Sequence, residues 1–330
     1  MKKTGKILLS LACVIALMMS VGAGAFAAEL TLEDVYAEAQ EAKAMAQRAL
    51  DQQAVENIMS RHVLYHCYGE HREEMEEIWV QEPANQATAT FGRNQGYEVG
   101  YDYIWQSYVE EHDASWLTSA TEWCLENGVD ISGMTDEEII DVYGGVGQLL
   151  LHVTTTAIIE IADDGLTAKG YWYTPGLLKQ TDFDNADSMW ENYGADFIKE
   201  NGEWKIWHLH MYTDFQCEFG TSFTGSTSSG ELGGAPGTTG IGGPPPGGAP
   251  GGASTSSDVD TSGWIGGKIN QSTYKQWSTK RLRADMASIP IPLPYASWDF
   301  SEPNYGVTVE QYASLGIDVN DWYAAHASGQ

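Results

Sequence analysis

The sequence predicts an α+β domain in which N-terminal helices pack on one face of a curved antiparallel sheet and enclose a pocket. Two observations lead to this fold class. Up to about residue 145 the apolar residues recur at helical spacing, whereas from residue 148 onward they alternate as in half-buried strands. Asn201 and Gly202 then separate two strand-like runs, and both central positions of a type I′ hairpin turn need a positive φ.

The individual elements follow from periodicity and from the residues that break it. The predicted helices cover residues 31–50, 51–68, 71–80, 101–112, 116–128, 135–145 and 307–326, the last one broken at Gly316. The predicted strands cover residues 86–91, 148–161, 166–174, 189–200 and 203–215. Pro175 and Gly176 are expected to end the third of these strands, because proline lacks a backbone donor.

The ends of the chain differ in composition from the middle. Three lysines precede an apolar run and a series of small residues, which is typical of a secretory signal peptide cleaved near Ala28. We therefore expect a secreted protein that has no membrane contact after cleavage. The predicted segments are a signal peptide (1–28), an N-terminal helix (29–50), the main domain (51–221), a disordered Gly/Pro/Ser-rich linker (222–262) and a C-terminal tail (263–330). The tail is expected to pack on the domain or on a partner subunit, because so short a segment would fold poorly alone.

The chain is strongly acidic, with a formal net charge of −29 at pH 7. Such a surface repels nucleic acid and anionic membranes, so neither is an expected partner. Cys67, Cys124 and Cys217 lie beyond the signal peptide at wide spacing. They permit at most one internal disulfide and do not form a cysteine metal motif.

A two-residue loop at Asn201 also fixes the register of the hairpin. It places Asp196 opposite Trp207 and Tyr193 opposite His210, and cross-strand partners share a face. We therefore expect Asp196 to face the pocket. His208 would then lie with His210 and Tyr193 on the outer face.

The predicted outer face is rich in apolar and aromatic side chains. It would carry Tyr193, Trp204, Ile206 and Tyr212. An apolar sheet face of this kind favours a homodimer interface. A β-bulge in either strand would reverse the assignment of faces.

The order of the elements resembles the SnoaL-like, nuclear-transport-factor-2-like superfamily, which implies a cone-shaped α+β fold, with N-terminal helices on a curved antiparallel sheet, around a deep internal pocket. Four passages carry the resemblance, and a Pro-rich stretch at 292–299 is similar to the tail of some bacterial members. The four passages are residues 51–79, 96–109, 150–172 and 193–210. The superfamily includes dehydratases, isomerases, cyclases and epoxide hydrolases, together with binding and structural members, so the fold does not decide the function.

The resemblance implies an acid–base pair formed by His152 and Asp196. In the dehydratase-like members a strand histidine and a later aspartate hold these positions, and a carboxylate raises the basicity of an imidazole. The other interpretation is a core histidine satisfied by neighbouring threonine or backbone groups. The chain also departs from those enzymes, with Cys67 where they have an aspartate and Leu209 where they often have an arginine.

Further side chains are candidates for contacting a ligand. His62 matches a pocket-facing tyrosine of several members, and Tyr65 could supply a hydroxyl. The aromatic candidates for the pocket lining, for which core packing is the alternative, are Trp79, Tyr101, Trp105, Tyr171 and Trp207. His62 and His66 are four residues apart, but no further metal ligand is fixed by the spacing, so we predict neither metal nor cofactor.

These residues favour an exported, cofactor-free dehydratase or isomerase acting on an apolar or aromatic small molecule. Two alternatives stay open. One is a non-catalytic, secreted binding module on the same scaffold. The other is a structural protein whose tail mediates assembly.

Overall fold

The computed structural model describes residues 31–179, 186–218, 259–270 and 289–327. The chain up to Gln47 and the chain from Arg48 onward form two compact units, and the second contains the whole sheet. The predicted signal peptide and most of the predicted linker lie outside the described residues. None of the helices in these ranges is long and apolar enough to cross a membrane.

Most helices match predicted ones, but the helix at Pro83–Thr88 was not predicted, and it occupies residues where a strand was expected to begin at residue 86. The described helices are α1 (Leu32–Tyr68), α2 (His71–Glu77), α3 (Pro83–Thr88), α4 (Tyr101–Trp105), a π-helix (Gln106–Glu110), α5 (Glu111–Glu126), α6 (Asp136–Tyr143), α7 (Val309–Ser314) and α8 (Val319–Ala327). Helix α1 is continuous over 37 residues, so the two helices predicted on either side of residue 50 are one. No Gly or Pro interrupts that part of the sequence.

The strands form one mixed sheet. The described strands are β1 (Thr90–Arg93), β2 (Gly96–Val99), β3 (Leu149–His152), β4 (Thr155–Ile161), β5 (Thr167–Lys179), β6 (Asp187–Glu200), β7 (Glu203–Glu218) and β8 (Gly267–Ile269). Their order is β3-β5-β6-β7-β1-β2-β8, and β4 also pairs with β5. The α+β class with N-terminal helices is confirmed. The sheet is not purely antiparallel, because β1 pairs with β7 in parallel.

The long strand predicted at 148–161 is divided, and its partner is longer than predicted. Strands β3 and β4 pair with successive parts of β5. Pro175 does not end β5. It lies opposite the break between β3 and β4, where its missing N–H group interrupts no ladder.

The hairpin between β6 and β7 is confirmed, but its register changes along the strands. Asn201 and Gly202 have φ values of 51° and 87°, as a type I′ turn requires. Further along, Asp196 pairs with His208 and Phe197 with Ile206, so one residue of β7 is extra at this point. This β-bulge shifts the register by one residue and reverses the predicted faces.

The two faces of the sheet are covered by different parts of the chain. The inner face packs on α1 and α2, and Trp204 and Lys199 both donate to Asp51 of α1. The opposite face, which we call the tail face, is covered by residues 289–327. There the ring of Tyr305 lies over Gly194, so closely that a Cβ atom at this glycine would be 2.0 Å from a ring carbon.

The tail packs on the sheet of its own chain. Trp298 and Trp322 lie against Trp207, with ring centroids 4.7 and 5.1 Å apart. The expected outer face does not exist as one surface, because Trp204 and Tyr193 belong to the inner face. Ile206 shares the inner face with Trp204, whereas Tyr212 packs against Tyr305 of the tail. The expected homodimer stays a prediction.

Candidate functional site

The candidate site lies between the helices and the inner face of the sheet, and its centre is the buried carboxylate of Glu74 on α2. One oxygen, Oε1, lies 2.8 Å from His62 Nδ1 and accepts a hydrogen bond of 3.1 Å from the Trp79 indole. The other oxygen accepts a bond of 2.8 Å from the Tyr108 hydroxyl. A buried carboxylate is costly without such donors, and these three fix it in one orientation.

His62, on α1, is completely buried and carries the nitrogen of greatest chemical interest. A carboxylate oxygen only accepts hydrogen bonds, so His62 donates through Nδ1–H and keeps the lone pair on Nε2. Nε2 is buried and has no hydrogen-bond partner among the residues that the structure describes. The imidazole thus presents an available basic nitrogen beside the ring of Tyr193, whose centroid is 5.4 Å away.

Tyr108 lies in the π-helix between α4 and α5. Such single wide turns are rare, and they occur frequently at functional sites. The Tyr108 hydroxyl donates to Glu74 and also lies 3.0 Å from His66 Nδ1. Burial, followed by the charge of Glu74, raises the pKa of Tyr108 well above its ordinary value, so the hydroxyl keeps its proton.

Two more histidines extend this network away from the sheet. His66 Nδ1 lies 3.1 Å from His71 Nε2, and both side chains are buried. Burial lowers the pKa of each well below its ordinary value, and the nearby His152 lowers the pKa of His66 further. Both rings are therefore neutral at pH 7.

The sheet contributes a second group of polar side chains. His152 Nδ1 lies 2.9 Å from the Tyr193 hydroxyl, and burial lowers the pKa of His152 to about 3. Glu191 is completely buried and accepts a bond of 2.9 Å from Thr213. Burial raises the pKa of Glu191 to about 7. The inner face thus holds a weakly acidic carboxyl and a neutral imidazole.

The two predicted catalytic residues are not brought together. His152 contacts Tyr193 on the inner face, whereas Asp196 accepts a bond of 2.7 Å from the backbone N–H of Tyr305 on the tail face. Tyr193 and Asp196 are three residues apart on a regular part of β6, so they point to opposite sides. The predicted pairing is therefore corrected. Asp196 instead lies 2.8 Å from His208, under the tail.

The predicted ligand-contacting residues are spread over several parts of the molecule. His62 and Trp79 belong to the Glu74 network. The other predicted contacts lie elsewhere: Tyr65 with Arg61 and Glu77 at the surface, Tyr101 donating to the Met75 carbonyl, Trp105 under Arg72, and Tyr171 and Trp207 on the tail face.

Glu74 and Glu191 are the residues that reasoning from the sequence missed. Glu74 lies in an acidic helix beside Glu73, Glu76 and Glu77, and only its burial distinguishes it from those neighbours. Glu191 follows a tryptophan in a strand whose alternation assigns it to the same face as Tyr193, and that face was expected to point outward. The only available signal for Glu74 was that a buried His62 needs a partner.

No group of three or more His, Cys, Asp or Glu side chains within the described ranges is arranged to hold a metal ion. A surface pocket of about 580 Å³ lies in the C-terminal segment, between Pro290 and Glu310. It shares no residue with the Glu74 network. The buried polar network, rather than this pocket, is therefore the candidate site.

No protein-family model matches the sequence, and no curated protein matches it either. Several solved structures are similar to it. A hexachlorocyclohexane dehydrochlorinase, LinA-type3, from Novosphingobium barchaimii aligns with 54% of this chain and 95% of its own, at 11% identity and a TM-score of 0.36. A nuclear transport factor 2-like superfamily protein from Salmonella enterica aligns with 53% of this chain and 99% of its own, at 11% identity and a TM-score of 0.34.

Identities of this size concern the fold and say nothing about chemistry. The order of helices and strands in the described residues, read with the sequence, is what resembles the SnoaL-like, nuclear-transport-factor-2-like superfamily.

Proposed function

We propose that this chain is an exported, cofactor-free enzyme of the lyase or isomerase type, which moves a proton on an apolar small molecule bearing a hydroxyl or carbonyl group. His62 acts as the base and Glu74 orients it. His152, held by Tyr193, faces the same ligand as a hydrogen-bond donor. The observation that carries the proposal is the buried, unpartnered Nε2 of His62, whose other nitrogen is held by a carboxylate.

The contact between Glu74 and His62 suits general base catalysis. When Nε2 takes a proton from the ligand, the imidazole becomes positively charged, and the adjacent carboxylate stabilises that charge. The Tyr108 and Trp79 donors keep the carboxylate in place during this change. The proton would come from a carbon next to a carbonyl group, or from one next to a carbon that loses a hydroxyl group; in the second case the protonated His62 returns the proton to the departing oxygen, which leaves as water.

His152 supports the other half of such a reaction. His152 Nδ1 and the Tyr193 hydroxyl share a hydrogen bond of 2.9 Å, and Nε2 is buried without a partner among the described residues. The proposal assigns the tautomer in which Tyr193 donates to Nδ1 and the proton of His152 is on Nε2. A pKa of about 3 keeps the ring neutral at pH 7, so it acts as a hydrogen-bond donor and not as a source of a full proton. A fixed donor of this kind stabilises negative charge developing on a ligand oxygen.

The first test is a thermal-shift screen of the mature protein with aromatic and polycyclic alcohols and ketones, followed by product analysis for every ligand that binds. For a converted ligand, His62→Gln should lower kcat by about 100-fold or more, the usual contribution of a general base. His326→Gln changes a histidine outside the network and should leave kcat unchanged. Full turnover by His62→Gln would remove this residue from the mechanism.

A second candidate function is a non-catalytic binding or structural module. The specific observation in its favour is that Trp79, Trp172 and Tyr193 are almost completely buried, so aromatic rings fill much of the inner face. In that case ligands would bind without being converted. His62→Gln would then change neither their affinity nor their chemical state.

Export is tested separately from the chemistry. The terminal charge pattern and the formal charge of −29 favour a protein that functions outside the cell and binds no nucleic acid. Intact mass measurement of the protein from the culture medium should give an N-terminus near Glu29. Recovery of the full-length chain from the cytoplasm alone would contradict export.

A further inference from the structure

We propose that Tyr108, His66, His71 and His112 form a proton path between the buried carboxylate–imidazole pair and the protein surface. The inference rests on the proposed function, because a base buried this deeply must exchange its proton with solvent between turnovers. We call these four residues the proton path.

The inner part of the path consists of contacts at hydrogen-bond distance. The Tyr108 hydroxyl donates to Glu74 Oε2 at 2.8 Å and lies 3.0 Å from His66 Nδ1. The same His66 nitrogen lies 3.1 Å from His71 Nε2. Each of these contacts is short enough for a proton to pass without movement of the backbone.

The outer part links His71 to His112. Their ring centroids are 4.0 Å apart, and Nδ1 of each ring is buried. A rotation of either ring, or one water molecule between them, would join the two nitrogens.

The path ends at the protein surface. The side chain of His112 is 15% exposed, and its Nδ1 lies 3.9 Å from Asp113 Oδ1. Asp113 is itself 29% exposed and accepts a bond of 3.0 Å from Arg72, which is half exposed. An imidazole at the solvent boundary is placed to exchange a proton with water.

One proton moves along the path per transfer; an inward transfer leaves the proton on Glu74 and moves the proton of His71 from Nε2 to Nδ1, and the outward transfer that follows restores both groups. Inward, His112 takes a proton from water and passes it to His71 Nδ1, while His71 Nε2 gives its own proton to His66 Nδ1. His66 passes that proton to the Tyr108 oxygen, and the Tyr108 hydroxyl proton goes to Glu74. The reverse sequence releases the proton that the base has taken from the ligand.

The test measures proton exchange directly and needs no substrate. In the full mature chain labelled with ¹⁵N-histidine, ring N–H exchange with water is measured at pH 7 for the eight histidines. The ring protons of His66 and His71 should exchange faster than the buried backbone amides of α1, because the path works without local unfolding. His112→Phe should slow them by about tenfold or more, to the rate set by opening of the structure.

A matched control separates the path from general loosening of the fold. His326→Phe also replaces a histidine stacked on a tryptophan, with centroids 4.1 Å apart compared with 4.5 Å for His112 on Trp116. This control should leave the exchange of His66 and His71 unchanged. If His112→Phe does not fold, His112→Gln replaces it and should give the same slowing.

Equal exchange in the wild type and a folded His112 variant would overturn the path. So would wild-type ring protons that exchange only as fast as the α1 amides. Both results leave the role of His62 open, because that role is judged by turnover. Conversely, fast and His112-dependent exchange would support the path even if His62→Gln kept full activity.

Discussion

Replacing Glu74 with Gln is the perturbation that challenges the candidate site most strongly. The change keeps the shape of the side chain but removes its charge, and it converts one acceptor atom into a donor. Three donors, from His62, Trp79 and Tyr108, converge on the carboxylate in a fully buried position. A glutamine can accept through only one of its two terminal atoms.

The magnitude follows from the number and type of these contacts. A hydrogen bond to a charged group contributes roughly 1.5–3 kcal/mol, and a neutral one roughly 0.5–1.5 kcal/mol. Weakening all three contacts should lower the free energy of unfolding by about 3 kcal/mol. In a domain of this size about 1 kcal/mol corresponds to about 2–4 °C in Tm, so Tm should fall by about 6–12 °C.

The assay is urea denaturation followed by tryptophan fluorescence, together with a thermal melt. Glu73→Gln is the matched control, because Glu73 is the preceding residue on the same helix and is exposed. It should change the free energy of unfolding by less than about 0.5 kcal/mol, as surface substitutions usually do. A Glu74→Gln variant as stable as Glu73→Gln would refute the inferred network.

Two further predictions concern pH and the tail. His152 is neutral in the folded protein (pKa about 3) but takes a proton below about pH 6.5 when unfolded, so its contribution to stability is present above pH 6.5 and is lost as the pH falls. Urea titrations should therefore show that the free energy of unfolding falls less between pH 6.5 and pH 4 in His152→Gln than in the wild type, by roughly 3 kcal/mol. An equal fall in both proteins would contradict the burial of this ring as the cause. Gly194→Ala should displace Tyr305 and lower the free energy of unfolding by about 1–3 kcal/mol in the same assay. Gly133→Ala is the control, because a Cβ atom there would meet no other atom within 4 Å, and it should not destabilise the protein. Equal stability of the two variants would mean that the tail does not rest on Gly194.

The fold class could be predicted because its signals are local. The hairpin turn at Asn201 depends on the φ preferences of two residues, and the helix break at Gly316 depends on one. The bulge in β7 has no such signal. Packing on both faces of the sheet decides where the extra residue of β7 lies. Because of that residue, Tyr193 and Asp196 lie on the faces opposite to those predicted from the sequence.

The candidate site was half predictable for a related reason. His62 and His152 stand out because imidazoles in apolar surroundings need partners. Their actual partners come from a separate helix and from a strand whose face was reversed, so the sequence suggested the aspartate of the related enzymes instead. Glu74 lies among exposed acidic residues that look the same in the sequence, and only the docking of α2 on α1 selects it.

The measurement that tests the central claim most directly is the tautomer of His62. ¹⁵N chemical shifts of the histidine rings distinguish protonated from bare nitrogens, and the His62→Gln spectrum identifies the signals of this residue. At pH 7 we expect His62 to carry its proton on Nδ1, in the hydrogen bond to Glu74, and to have no proton on Nε2. A proton on Nε2 with a bare Nδ1 would contradict it, because His62 would then have no nitrogen available to act as a base.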